Sequence, residues 1–180
     1  MNEQAALYLQ ECVKSFRGLK SNAEKAIAQI SDEELHVRPD PASNNIAILM
    51  QHLCGNMKSR FSEFLTTDGE KANRNRDGEF EDLRLTREQL FSQWNEGWNI
   101  LFQSVESLQA KDLLSVVTIR NEPHTVVRAL QRQLVHYAYH CGQIVFLCKH
   151  IRSENFKTLS IEKGQSGKFI TKPPDLLSNT

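Results

Sequence analysis

Apolar residues recur at three- and four-residue steps in four separate stretches of this 180-residue chain, and that periodicity limits the fold more than any other feature. An α-helix returns to the same face every 3.6 residues, so each stripe demands a partner to bury it. The first stripe runs through Leu9, Val13, Phe16, Ala23, Ile27 and Ile30. The second, entered through the turn-forming stretch from Pro39 to Asn45, uses Ile46, Leu49, Met50, Leu53, Met57, Phe61 and Phe64. The third is the strictest, with Phe91, Trp94, Trp98, Leu101, Val105 and Leu108 behind Thr86, whose partner Gln89 completes a capping box. The fourth, from Val127 to Cys148, is apolar on almost every side and is expected to be the most deeply buried. The pattern predicts an all-α four-helix bundle, packed as an antiparallel type, with long connections between its second and third and its third and fourth helices.

The connections carry their own signals. Ser31-Asp32-Glu33-Glu34 is a second capping box, which predicts one short helical turn before Pro39 and Pro41 stop it. A polar span from Thr66 to Leu85 separates the second and third helices. Val116–Ile119 and Thr125–Val127 flank Asn121-Glu122-Pro123, which predicts a small hairpin-like insertion. After Ser153 the periodicity ends, so the expected division is a bundle over residues 1–153 and an irregular C-terminal tail over 154–180. Within that tail GQSGK has glycines too closely spaced for a phosphate loop.

Lysine and arginine number 22, as do aspartate and glutamate, so the whole chain offers no long-range attraction to nucleic acid or to an anionic membrane. A small neutral substrate is expected at least as readily as a polymer. The charged N-terminal stretch MNEQAALYLQECVKSF lacks the apolar core of a secretory signal, no segment approaches a spanning length, and a cytoplasmic location is expected. Cys12, Cys54, Cys141 and Cys148 form no C-x-x-C pair and lie on apolar helical stretches, as buried free thiols would.

Chemistry enters through HYAYHCGQ, where His136 and His140 stand four residues apart and project from one face of the fourth helix. An imidazole on an apolar helix needs a partner, and a metal ion serves both at once. His52, in IAILMQHLCGN on the second helix, is the candidate third ligand. Three imidazoles leave a position open, which is the arrangement of a reactive site. Tyr137 stands where H-E-x-x-H requires glutamate, which argues against metalloprotease chemistry. Asn56 and Arg60 follow His52 by four and eight residues and form a polar column suited to substrate contact, with Asp77 and Glu79 in the following loop as further candidates. His36, His124 and His150 are left outside the ligand set.

The run N-x-I-A-x-L-M-Q-H, followed by a hairpin-like turn and then H-x-x-x-H-x-G-Q, resembles the DinB-like (DinB/YfiT) superfamily of four-helix-bundle candidate metalloenzymes, over about Leu7 to Ile151. HLCGNMKSRFSEFLTTDGEK, RDGEFED and LSIEKGQSGKF resemble one branch of it, known only as a domain of unknown function. The resemblance implies an up-up-down-down bundle, a homodimer, and a divalent metal held by His52, His136 and His140. The ion expected is zinc, with nickel, manganese or iron as alternatives. Two reactions fit an open position occupied by thiolate or water: transfer of a low-molecular-weight thiol, slightly favoured by the resemblance, and hydrolysis. A non-catalytic, stress-related metal-binding bundle is the alternative from another class.

Overall fold

The computed structural model describes residues 3–168. They form four long helices, α1 (Glu3–Ile27), α2 (Ile46–Phe61), α3 (Arg87–Glu106) and α4 (Val126–Arg152), and one antiparallel hairpin, β1 (Val116–Ile119) with β2 (Glu122–Thr125). Three helices begin where a side chain replaces the missing backbone acceptor. Asn45 accepts from the Ile48 N–H, Thr125 from Arg128, and Thr86 from Gln89, whose own side chain returns to the Thr86 N–H. The Ser31 box is present as well, with Ser31 and Glu34 exchanging bonds around a 3-10 turn at Glu33–His36. Trp94, Trp98, Leu101 and Val105 of the strict stripe are all buried, and Gly97 lets α3 lie against α2, because a Cβ there would stand 3.1 Å from the Cys54 Cα.

Helix directions follow from which residues meet. α1 and α4 run the same way: Tyr8 donates to the Val127 carbonyl near one end, Phe16 packs on Tyr137 midway, and Gln29 exchanges two bonds with Lys157 past the other end. α2 and α3 also share a direction, with Cys54 meeting Gln93, and Lys58 meeting Glu96. α1 and α3 are opposed, since Arg17 pairs with Glu106, Glu24 with Trp94, and Ile27 with Arg87. The outer pair in sequence therefore points one way and the middle pair the other, which corrects the expected up-up-down-down order.

Two parallel neighbours need a connection that returns the full length of a helix, about 24 Å for sixteen residues. Residues 62–86 supply it as a strap laid back along α2. Gly69 and Glu70 meet Arg60, Glu79 meets His52, the Glu81 carbonyl accepts from Gln51, and Asp82 accepts from Asn45. This cover explains a second correction. α2 buries fourteen of its sixteen residues, whereas α4 buries ten of twenty-seven and leaves Val135, Tyr139 and Phe146 exposed.

The hairpin turns at Arg120–Asn121, both at positive φ (56° and 61°), the conformation of a type I′ turn. Asp68 of the strap accepts from both of their N–H groups, and the Gly69 N–H donates to the Thr118 carbonyl, so the hairpin tip and the strap are one unit. Phe156 and Leu159 of the expected tail pack against the core, while residues 169–180 of it lie outside the described residues. No helix is long and apolar enough to cross a membrane among the described residues.

Trp98 is fully buried and packs on Trp94, Phe102 and Tyr137, while its indole N–H has no partner among the described residues. Trp98→Ala should cost about 3–5 kcal/mol in denaturant unfolding, as core aromatic truncations do. Trp98→Phe should cost clearly less, because no hydrogen bond is lost; equal losses would show that the indole matters for more than its volume.

Candidate metal centre

α2 and α4 face each other beneath the strap, and their facing sides bring His52, His136 and His140 together. The Nε2 atom of His136 stands 3.3 Å from that of His52 and 3.1 Å from that of His140. Three nitrogens each about 2.0–2.1 Å from one ion would stand roughly 3.0–3.4 Å apart, so the spacing fits a single metal.

The other face of each ring decides which nitrogen carries the proton. His52 Nδ1 is 2.9 Å from Glu79 Oε2, and an ionised carboxylate only accepts, so this Nδ1 is the donor. Burial alone would raise the Glu79 carboxyl, but hydrogen bonds from His52 and Arg74 and the Arg74 charge hold it below the usual range. His140 Nδ1 likewise donates to Gln143 Oε1 at 2.8 Å. Two Nε2 lone pairs therefore point at His136 Nε2. A proton on that third nitrogen would satisfy one of them and leave the other opposed, whereas a cation satisfies all three.

Burial, followed by the influence of His140 and His52, pushes His136 down to about 3, and burial also lowers His140. Both are thus neutral at physiological pH, the form that binds metal. His52 is further held by Phe80, whose ring centroid is 4.6 Å away. A cavity of about 370 Å³ opens over the triad, with Asn56, Arg60, Gln133 and Phe80 in its wall.

The α2 column expected from the sequence borders this cavity, with different chemistry at its two positions. Asn56 accepts from the buried Tyr137 hydroxyl at 3.0 Å, which leaves its amide nitrogen unused. Arg60 is buried and its terminal nitrogens go to the Gly69 carbonyl and to Glu70, while its Nε has no partner among the described residues. Of the two loop acids, Glu79 orients His52 and Asp77 is fully exposed. Sequence reasoning did not single out Gln143, although its i+3 spacing from His140 was the available signal, nor Arg74, which grips both Glu79 oxygens at 2.7 Å. His36 is spent on Asp82 and the Leu85 carbonyl, His124 on the Glu122 carbonyl, and neither joins the triad. The thiols of Cys54, Cys141 and Cys148 are buried and raised by that burial to about 11, 12 and 12, which fits core residues rather than nucleophiles.

No curated protein matches the chain. Among solved structures, the crystal structure of the conserved protein of locus from Enterococcus faecalis is similar, with a TM-score of 0.60 over 78% of this chain and 94% of that one. The identity is 15%, so the likeness is one of fold. The model of the family described as Protein of unknown function (DUF1572) matches residues 3–165, a span that takes in all three histidines, Glu79 and Gln143, and the chain belongs to that family.

Proposed function

We propose that this protein is a DinB-like, divalent-metal-dependent enzyme that acts on a small molecule, with transfer of a low-molecular-weight thiol as its reaction. The observation that carries the metal is the clustering of three imidazoles, with His136 Nε2 at 3.3 Å from that of His52 and 3.1 Å from that of His140, and with the Nδ1 protons of His52 and His140 drawn off to Glu79 and Gln143. Zinc is the ion we favour, with nickel, manganese or iron as alternatives, because imidazole donors suit borderline cations. Such an ion supplies Lewis acidity that lowers the pKa of a thiol or of water at its open side.

The residues around it do the remaining work. Glu79 and Gln143 keep two ligands in the correct tautomer, and Phe80 packs over His52. The free amide of Asn56 donates to the substrate, and Arg60 shapes the wall beside it through its hold on the strap. Thiol transfer is favoured over hydrolysis by the cavity wall. Among the described residues no carboxylate lines it, and both oxygens of Glu79 are already committed, so water would find no general base, whereas a thiol ionises readily without one. Four buried free cysteines suit a reducing, cytoplasmic setting. Pairing into a homodimer remains part of the same proposal.

Purified protein should hold about one divalent ion per chain, as three-ligand sites do. Elemental analysis of His52→Ala, His136→Ala and His140→Ala should show a sharp fall in each, and full occupancy in His52→Ala would remove α2 from the site. Glu79→Gln should keep the ligands yet weaken affinity by about 10–100-fold, the usual effect of losing a supporting carboxylate.

The metal-free protein should lose stability on acidification. His136 takes up its proton near 6.5 when unfolded and only near 3 when folded, so the unfolded state binds more protons throughout that window. Thermal unfolding followed from pH 7 to pH 4 should show this decline, and His136→Ala should flatten it; an unchanged slope would mean that the ring is not buried neutral.

Turnover is tested by offering small thiols with electrophilic acceptors, and separately simple esters and amides, to metal-loaded and chelated protein. Metal-dependent loss of free thiol is the expected result, abolished in His140→Ala. Tight metal binding without turnover in either set would favour a non-catalytic binding bundle.

A further inference from the structure

Imidazoles apart, every ionisable side chain lining the cavity over the triad is an arginine: Arg60, Arg74, Arg76, Arg120 and Arg132. Two carboxylates back them. Glu70 pairs with Arg60, Arg74 and Arg120, and Glu79 pairs with Arg74. Five guanidinium groups against two carboxylates make a concentrated positive surplus in a chain whose formal net charge is zero. A cleft with low-dielectric walls focuses such a field on whatever enters it.

The five differ in what they have left to give. Arg60 and Arg74 are buried and committed to Gly69, Glu70 and Glu79, and Arg120 gives its Nε to Glu70. Arg132 makes no hydrogen bond or ion pair among the described residues, and Arg76 has only the fully exposed Asp77 at 3.9 Å. Both free cations are nevertheless placed beside the triad. The Arg76 guanidinium lies 5.3 Å from the centre of the Phe80 ring, which packs on His52. Arg132 precedes His136 by one helical turn and so shares its side of α4. The wall also holds Gln133, whose buried Oε1 has no partner among the described residues, an acceptor left for a donor group on the ligand and not for its anionic end.

We propose that Arg76 and Arg132 form an oxyanion-binding mouth, and that the molecule acted on is a small anion carrying a carboxylate or phosphate at the end remote from its reacting atom. Placing the reacting end at the triad rests on the metal reading above; the oxyanion site itself does not. A guanidinium fork matches the paired oxygens of either group, and the free amides of α2 and α4 would serve polar atoms in between. The cavity volume of about 370 Å³ suits a metabolite-sized ligand, and the five arginines line a single cleft, whereas a nucleic acid requires an extended stripe.

Calorimetric titration of the full chain, zinc-loaded and chelator-stripped, with succinate, inorganic phosphate and neutral succinamide tests this. At least one of the two anions should bind both forms, with succinamide weaker by about tenfold or more, the loss of one charge-assisted contact. Preference for succinate assigns a carboxylate, and preference for phosphate assigns a phosphoryl group. Arg76→Gln and Arg132→Gln should each weaken binding by about tenfold, the double variant should abolish it, and Arg132→Lys should restore it only in part. Zinc content should be unchanged in all of them. Absence of anion binding, equal binding of succinamide, or full anion affinity in the double variant would overturn the proposal. If the histidine variants retain metal while the arginine variants lose the anion, the metal reading fails and the oxyanion site stands.

Discussion

A single buried carboxylate joins the two halves of this structure. Glu79 accepts from His52 on one side and takes both ends of the Arg74 fork on the other, with Gly55 beneath it. Gly55 is necessary because a Cβ at that position would lie 2.6 Å from the Glu79 carboxyl carbon. Removing Arg74 would leave the Glu79 carboxylate uncompensated away from water, which costs far more than the pair gains when intact. The contact therefore fixes the strap on α2 and the ring of His52 together. The covering of α2 and the orientation of a ligand ring thus share one contact.

That linkage also explains why the connection between α2 and α3 is long. A parallel pair of helices requires a return path, and a return path over an apolar helix needs its own polar groups satisfied along the way. The strap meets this demand with side chains: Ser59 and Arg60 take the Gly69 carbonyl, Gln51 takes Glu81, and Asn45 takes Asp82. These polar contacts are why α2 buries Gln51, Ser59 and Arg60, residues that an amphipathic helix would ordinarily turn to solvent, while buried Asn56 takes its partner, Tyr137, from α4.

The helices, the Thr86 cap and the first strand of the hairpin were legible because they are local: 3-4 periodicity, Thr86 with Gln89, and turn residues at Asn121 act within a few positions, whereas the second strand, expected at Thr125–Val127, lies at Glu122–Thr125, because Thr125 caps α4 and Val126 begins it. The triad was legible for a similar reason, since His136 and His140 are neighbours on one helix and His52 came from the apolar run around it. Direction was not legible, because no local signal distinguishes a connection that reverses from one that returns. Without the strap's path, α2 seemed less buried than α4, and the polar column at Asn56 and Arg60 seemed to face only substrate. Glu79 was visible as an acid in a charged loop, but its role depends on a contact across twenty-seven positions that periodicity does not encode.

The site divides its tasks between rigid and irregular backbone. The metal ligands stand on two packed helices, where rotamers are held by neighbours, while four of the residues that give the cavity its charge, Glu70, Arg74, Arg76 and Arg120, come from the strap and the hairpin tip. Asp68 ties these two irregular segments into one piece by accepting both N–H groups of the Arg120–Asn121 turn. The bonds it accepts from the backbone N–H groups of Glu70, Asn121 and Arg120, with a side-chain bond from Thr118, outweigh burial and hold its carboxyl far below the usual range, so this tie persists at any physiological pH. A change of charge on the strap therefore alters what the cavity attracts without touching a ligand, whereas a change at Glu79 alters both, because that one carboxylate braces Arg74 of the wall and His52 of the metal centre alike.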